Sequence, residues 1–193
     1  MSVENILLGL LGEARSGYDL KKDFDGVFSH FWAAEQSQIY RTLKSLEERG
    51  MVESSEAPSD KGPPRKLYRR TEPGRRQLLA WLAGGPEIPT LRFPYLAQLF
   101  FMGEAGSLEQ TERWLAEMVE ECEARLVALS EIEAQWAEDD PTFPDLQGDE
   151  DFHAHLVLRH GLARARAAHE WAVESLERTR RRRQRTTADG RSS

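Results

Sequence analysis

The chain has 193 residues, 31% of them charged, and a formal net charge of −7 at neutral pH. This length suffices for one large or two small domains with hydrophobic cores. The single cysteine, Cys122, excludes an intrachain disulfide, and neither a long apolar run nor a cationic leader predicts a membrane span or a secretory signal. We therefore expect a cytoplasmic protein.

The net charge hides an asymmetry between the two parts of the chain. Residues 1–84 carry 13 Lys and Arg against 12 Asp and Glu, whereas residues 85–193 carry 13 against 21. Every lysine lies in the first part. An acidic protein can thus present a locally basic face, and a nucleic acid responds to the local charge.

The second predicted helix covers residues 17–28 and follows an apolar helix at residues 3–11. Ser16 is a plausible N-cap for it, and Asp19, three residues further on, completes a weaker form of the capping box. Tyr18 and Leu20 are the candidates for its buried face.

The third predicted helix, Glu35–Gly50, is amphipathic. Ile39, Leu43 and Leu46 recur at steps of four and three, so they share one face, and Tyr40 lies beside it. The other side carries groups that read base edges and hold phosphates, namely Gln36, Ser37, Gln38, Arg41 and Lys44. A solvated helix face is the alternative interpretation of such a stripe. Three short helices in this order predict a helix-turn-helix.

A basic hairpin is predicted directly after these helices. A short strand at residues 51–54 precedes a Gly/Pro-rich loop at residues 57–64 and an alternating strand at residues 65–71. In this position the hairpin would be a wing. Its candidate phosphate-binding cations are Lys61, Arg65, Lys66 and Arg69.

Residues 4–83 resemble the winged-helix domain of the PadR family of bacterial transcriptional regulators. The matching motifs are GYDL at 17–20, IYRTLKSLEERGMVE at 39–53 and PPRKLYRRTEPGRRQL at 63–78. The resemblance implies a DNA-binding regulator. One position departs from the family pattern, because Arg70 stands where an apolar residue is usual. Either the strand end is exposed to solvent, or the cationic wing is enlarged.

The second part of the chain is predicted to be helical. A linker at residues 84–89 precedes an apolar helix at 91–103, a long helix at 108–137 and a last helix at about 151–182. Apolar residues in both long helices recur at heptad spacing, which favours an antiparallel hairpin. This part resembles the longer C-terminal domain of one PadR subfamily. The resemblance implies dimerisation, with the first helix of the winged domain contributing, and we assign the interface to Leu158, Leu162, Ala165, His169, Ala172 and Leu176.

The predicted fold is mostly α with a small β-hairpin wing. We expect a winged helix-turn-helix domain at residues 1–84, a helical dimerisation and effector domain at 85–185, and a disordered tail at 186–193.

Three further patterns have competing interpretations. His153, His155 and His160 lack the spacing of three or four that a helical metal site needs, so surface or interface histidines are the better interpretation. The run Arg178–Arg185 could hold phosphates or simply be a frayed, solvated helix end. Several aromatic residues could line an effector pocket or form core, namely Trp81, Phe93, Tyr95, Phe100, Phe101, Trp114 and Trp171.

The residues and the family resemblance together predict a homodimeric winged-helix transcription factor that represses from a pseudo-palindromic operator. Small-molecule control, which the resemblance implies, would then be release by a small hydrophobic or aromatic effector. Nothing resembles a catalytic constellation, a metal cluster or a phosphate-binding glycine loop, so we expect neither an enzyme nor a cofactor. The alternative is a winged-helix protein-interaction module without DNA binding. The residues expected at DNA are Tyr18, Lys21, Gln36, Ser37, Gln38, Tyr40, Arg41, Lys44, Lys61, Arg65, Lys66 and Arg69.

Overall fold

The computed structural model describes residues 3–26, 28, 31–58, 64–145 and 148–189. The chain divides into an N-terminal unit, Met1–Pro89, and a C-terminal unit, Thr90–Ser193. The elements of the N-terminal unit are α1 (Val3–Leu10), β1 (Arg15–Ser16), α2 (Gly17–Asp25), α3 (Gln36–Glu48), β2 (Val52–Ala57), β3 (Arg65–Arg70) and α4 (Glu72–Ala83). Those of the C-terminal unit are α5 (Pro94–Phe101), a 3-10 helix (Met102–Ala105), α6 (Leu108–Asp139) and α7 (Asp149–Asp189).

The N-terminal unit is a winged helix, which confirms the predicted fold class. Strands β2 and β3 form the antiparallel wing hairpin, and β1 pairs antiparallel with the other edge of β3 to give the order β1-β3-β2. Strand β1 has no signal in the sequence, because two residues are too few to show an alternating pattern.

Three helices supply the core of this unit. The fully buried side chains include Leu7 and Leu8 of α1, Leu20 of α2, and Leu43 and Leu46 of α3. Burying each of them stabilises the fold by roughly 1.5–3 kcal/mol relative to leaving it in water. The apolar face predicted for α3 is therefore confirmed.

The expected burial of Tyr18 is wrong, because its side chain is 70% exposed. The predicted capping box sets the rotation of α2: the Ser16 hydroxyl accepts from the Asp19 backbone N–H at 3.2 Å, and the Asp19 carboxylate accepts from the Ser16 N–H at 3.1 Å. With that start, Leu20 and Phe24, four residues apart, face the core. Tyr18 is then left on the outside.

Arg70 follows neither of the two interpretations that the sequence allowed. Its Nη1 donates a hydrogen bond to the Leu8 carbonyl at 2.7 Å, in the last turn of α1. Its backbone N–H donates to the Leu11 carbonyl at 2.8 Å. Arg70 therefore caps the C-terminal end of α1, where helix carbonyls lack partners and a cation is favoured.

The C-terminal unit contains an antiparallel pair of long helices, α6 and α7. Glu133 near the end of α6 lies beside Arg159 of α7 at 3.3 Å, and Glu112 near the start of α6 lies beside Arg180 at 3.0 Å. The predicted helical hairpin is thus present.

The heptad residues assigned to the dimer interface are used within the chain instead. Leu158, Leu162 and Ala165 are buried with Leu129 of α6. Ala172 and Leu176 are also buried, and His169 is half-buried. In the single chain these buried positions already have a covering helix, whereas an apolar seam by itself does not indicate whether that helix belongs to the same chain.

The last helix is longer than predicted at both ends. It runs from Asp149 to Asp189, so residues 186–189 of the expected disordered tail are helical. The sequence from Arg178 to Asp189 contains no glycine or proline that would end a helix, and Gly190 is the first such residue.

Two of the aromatic residues proposed to form a core or to line a pocket do neither and are exposed instead. Phe100 and Phe101 pack edge to face with each other and are 82% and 65% exposed. Phe93 makes an edge contact with Tyr95 at 5.6 Å between ring centroids. The exposed pair on α5 is an unusually apolar surface for a protein in water.

Within the described residues, the structure contains neither a metal-binding group nor a membrane-spanning helix. No group of three His, Cys, Asp or Glu side chains there could hold a metal ion. His155 is instead buried between Glu133, at 3.5 Å, and the ring of Phe143. In the same ranges, no helix combines the length and the apolar character that crossing a membrane requires.

Candidate nucleic-acid interface

Helix α3 exposes the polar face that the sequence predicted. Gln36, Ser37, Gln38, Arg41 and Lys44 are all exposed, while Ile39 on the opposite side is fully buried. The tight turn after α3 depends on Gly50, whose φ of 68° is the left-handed conformation that glycine adopts without strain. The helix therefore presents carboxamide, hydroxyl and cationic groups to solvent along one side.

The cations of α3 are held along the helix by weak local contacts. The Arg41 Nε donates to the Ser37 carbonyl at 3.3 Å, so its side chain lies back toward the helix N-terminus. The Lys44 ammonium lies 3.9 Å from the Glu48 carboxylate, and both side chains are mostly exposed. Such exposed contacts are worth little, so both side chains are able to turn toward another ligand.

A cleft of about 450 Å³ opens where α2, α3 and the wing meet. It is lined by Ser16, Gly17, Tyr18, Tyr40, Arg65, Lys66 and Tyr68. Three phenol side chains, two cations and the positive end of α2 converge there. This combination of donors suits a phosphate group.

Tyr40 takes its place in this cleft because residue 17 is glycine. A Cβ atom at that position would lie 2.5 Å from the Tyr40 ring, far inside van der Waals contact. The ring packs directly on the backbone at the start of α2, and its side chain stays 42% exposed. Gly17 and Tyr40 were both in the sequence motifs, but their contact joins two helices and has no local signal.

Asp19 lies close to the cleft, but the capping box occupies its carboxylate. Hydrogen bonding by Ser16 lowers the pKa of Asp19, against the opposing effect of burial, and the charges of Arg65 and Arg15 lower it further. Asp19 is therefore ionised at neutral pH and partly offsets the positive charge of the cleft.

Lys66 connects the wing to α3. Its ammonium donates to the Glu47 carboxylate at 2.8 Å and lies 5.1 Å from the centroid of the Tyr68 ring. The hydrogen bond with Glu47 raises the pKa of Lys66, and the hydrogen bonds from Lys66 and Ser54 lower the pKa of Glu47. Glu47 has no local signal in the sequence, since its partners Ser54 and Lys66 lie on the strands of the wing.

The remaining expected contacts have different surroundings. Arg65 and Arg69 are exposed on β3, and Lys21 forms an ion pair with Asp25 in the next turn of α2. Lys61 lies outside the described residues. The structure thus brings Tyr18, Tyr40, Arg65 and Lys66 into one cleft, beside the exposed face of α3.

Two family models match successive parts of the chain. The model described as the transcriptional regulator PadR-like family matches residues 7–80, and the model of the virulence activator alpha C-terminal region matches residues 91–180. Residues 7–80 of the chain belong to the PadR-like family of transcriptional regulators. The second match agrees with the subfamily that has the longer C-terminal domain, as the sequence resemblance implied. This family consists of regulators, not enzymes.

Two relatives show how far the similarity extends. The negative transcriptional regulator PadR of Bacillus subtilis is 26% identical over 173 residues, covering 88% of this chain and 92% of that protein. The probable transcriptional regulator Rv1176c of Mycobacterium tuberculosis is 37% identical over 78 residues. That match covers 40% of this chain, which spans only 41% of the length of the mycobacterial protein.

Solved structures of this family share the fold. Bacillus subtilis PadR in complex with operator DNA superposes with a TM-score of 0.81 at 24% identity, covering 93% of this chain and 99% of that one. The same protein in complex with p-coumaric acid gives a TM-score of 0.74 at 25% identity over 92% and 98% of the two chains. The virulence activator AphA of Vibrio cholerae gives 0.70 at 29% identity over 92% and 97%.

Proposed function

We propose that this PadR-like protein is a sequence-specific DNA-binding repressor that acts as a homodimer on a pseudo-palindromic operator. The observation that carries the proposal is the meeting of the exposed polar face of α3 with the cleft of tyrosines and cations beside the wing. A winged helix that served protein assembly alone would have no need of cations on both elements.

Each element has its own part in the proposed complex. Helix α3 enters the major groove, where Gln38 and Arg41 reach base edges and the neighbouring polar residues hold the sugar-phosphate backbone. Tyr18, Tyr40 and Arg65 in the cleft bind a backbone phosphate. Arg69 and Lys61 of the wing meet the backbone or the minor groove.

The dimer is proposed to form through apolar surface of the C-terminal unit that remains exposed in the single chain. Leu96, Phe100 and Phe101 of α5 are 40%, 82% and 65% exposed, whereas the heptad seam of α7 is covered by α6. A second copy of the chain that covers α5 would remove this surface from water. Two copies related by a two-fold axis match a pseudo-palindromic site.

Repression and effector release are proposed from relatives. The Bacillus subtilis relative is named a negative transcriptional regulator, and its structure has been solved with p-coumaric acid. By analogy, a small aromatic or hydrophobic molecule would lower the affinity of this chain for its operator.

The test is a mobility shift with purified full-length protein and the DNA upstream of its own gene, followed by footprinting of any retarded band. We expect retardation that unlabelled random DNA competes poorly, and a protected site with two-fold symmetry. A protein that is folded and dimeric but retards no DNA would contradict the proposal and favour the protein-interaction module.

A further inference from the structure

The C-terminal end of α7 carries a stripe of arginines that the proposed function does not use. Six arginines lie between residues 178 and 185, in a part of the chain that is otherwise strongly acidic. Four of them, Arg178, Arg181, Arg182 and Arg185, line one shallow cleft of about 380 Å³ together with Thr186. These four residues are the arginine stripe.

The helix geometry places the stripe on one side of α7. Its members follow one another at steps of three, one and three residues, so they project within one sector of an α-helix over about 10 Å of its length. All four side chains are exposed. Arg181 contacts the Glu177 carboxylate at 3.4 Å, an exposed pair within one helix that contributes little.

The two remaining arginines of the run hold the stripe away from α6. Arg180 and Arg183 place their Nε atoms 3.0 Å and 2.9 Å from the two oxygens of the Glu112 carboxylate. Both lie on the side of α7 opposite the stripe, because an α-helix turns about 100° per residue. The Glu112 side chain is 17% exposed and the two arginines are about half exposed, so this contact is partly shielded from water and favours one rotation of the helix end. The run is therefore an anchored helix end that presents its other arginines outward together.

The chemistry of the stripe selects a polyanion. A guanidinium group holds its charge at any physiological pH and forms paired hydrogen bonds with phosphate oxygens. Four such groups on one face repel one another unless anions lie between them, and among the described side chains Glu177 supplies one weak carboxylate contact. A phosphodiester backbone supplies anions at regular, short intervals along a line.

We propose that the arginine stripe of α7 is a second, sequence-independent DNA-binding surface, which contacts backbone phosphates in addition to the contacts of the winged helix. The inference rests on the proposed function, since binding by the winged helix brings phosphates to the same molecule at high local concentration. It raises affinity for every DNA sequence alike and leaves the choice of operator to α3.

The experiment measures the salt dependence of binding to a long random-sequence duplex, using fluorescence anisotropy and full-length protein. The test variant replaces Arg178, Arg181, Arg182 and Arg185 with Gln, which keeps helix propensity high. The matched control replaces Arg92, Arg113, Arg164 and Arg166 with Gln, which changes the net charge equally at exposed positions of the same unit. Circular dichroism confirms that both variants remain helical.

We expect the slope of log affinity against log salt to flatten in the stripe variant by about 0.9 for each phosphate that the variant no longer binds, so by roughly 2 to 4 if most of the stripe engages. The control should keep the wild-type slope. Equal slopes in the stripe variant and wild type would overturn the inference while leaving operator binding by α3 intact. Wild-type protein that binds no DNA would overturn the proposed function as well.

An anionic membrane surface is an alternative ligand for the stripe, and a vesicle-binding assay on the same variants distinguishes it from DNA. Co-sedimentation with phosphatidylglycerol vesicles that disappears in the stripe variant, together with an unchanged DNA salt slope, would assign the stripe to lipid and contradict the proposal.

Discussion

Gln38 and Arg41 lie three residues apart on α3, so both side chains extend from the same exposed side of the helix. Leu43 lies on the other side and is fully buried. Each position of α3 therefore has one role: the apolar residues stabilise the fold, and the polar residues are available to bind DNA.

Replacing Gln38 or Arg41 with Ala should relax sequence preference and leave folding nearly unchanged. Each proposed bidentate contact to a base discriminates by about 1–3 kcal/mol, and an exposed side chain supports little of the core. A binding selection on randomised operators, run beside thermal melts, measures both effects. Leu43→Ala is the contrasting variant, with an expected loss of roughly 2–5 kcal/mol of stability. If both polar variants retain the full sequence preference, these two residues do not read bases.

Arg70→Ala should destabilise the N-terminal unit by about 1.5–3 kcal/mol. The substitution removes a charged donor from the Leu8 carbonyl and leaves the end of α1 without that cap. Chemical denaturation of the full chain, in which the unfolding transition of the N-terminal unit is fitted separately, gives the change in free energy of unfolding. The control is Arg75→Ala, whose exposed side chain lies 4.0 Å from Glu72, a contact that should cost under about 0.5 kcal/mol to lose. Equal losses in the two variants would count against the capping role.

At the scale of elements, the carboxylate of Glu47 joins the wing to α3. Glu47 near the end of α3 accepts hydrogen bonds from Ser54 of β2 and Lys66 of β3. The wing is thus linked to the helix whose register on DNA it would support. The same bond partly neutralises a cation that is expected to meet a phosphate.

Glu47→Gln should make DNA binding tighter and more dependent on salt. Without the carboxylate, the Lys66 ammonium has no competing anion and binds a phosphate instead, so the slope of log affinity against log salt should steepen by about 0.9. Titrations of random DNA across a salt series measure the slope. Glu13→Gln, an equal charge change in an exposed loop, is the control. An unchanged slope in Glu47→Gln would remove Lys66 from the phosphate contacts.

At the scale of the whole molecule, each long helix of the C-terminal unit already has its partner. Leu158 and Leu162 of α7 pack with Leu129 of α6, so removing α7 would expose the core of this unit. A deletion of that kind would test folding, not dimerisation. The exposed aromatic pair of α5 is the better place to test the dimer.

Replacing Phe100 and Phe101 together with Glu should convert the proposed dimer into a folded monomer. Both side chains are mostly exposed in the single chain, so the fold should tolerate the change, whereas an interface would bury two unpaired charges. Sedimentation equilibrium gives the mass, and operator affinity should fall because a monomer binds only one half-site. Gln98→Glu on the same helix is the control for added charge. A variant that remains dimeric would place the interface elsewhere.

The sequence by itself determined those features that depend on neighbours in the chain. The i, i+3 and i+4 spacing of Ile39, Leu43 and Leu46 predicted the buried face of α3, and Ser16 with Asp19 predicted the cap of α2. Tertiary structure alone decided what covers each face. Leu158 could equally have packed on a second copy or on α6, since burial of an apolar seam does not depend on which helix provides the partner surface. Arg70 reached the end of α1, and Lys66 reached Glu47, across 62 and 19 residues of sequence, distances over which no local periodicity carries information.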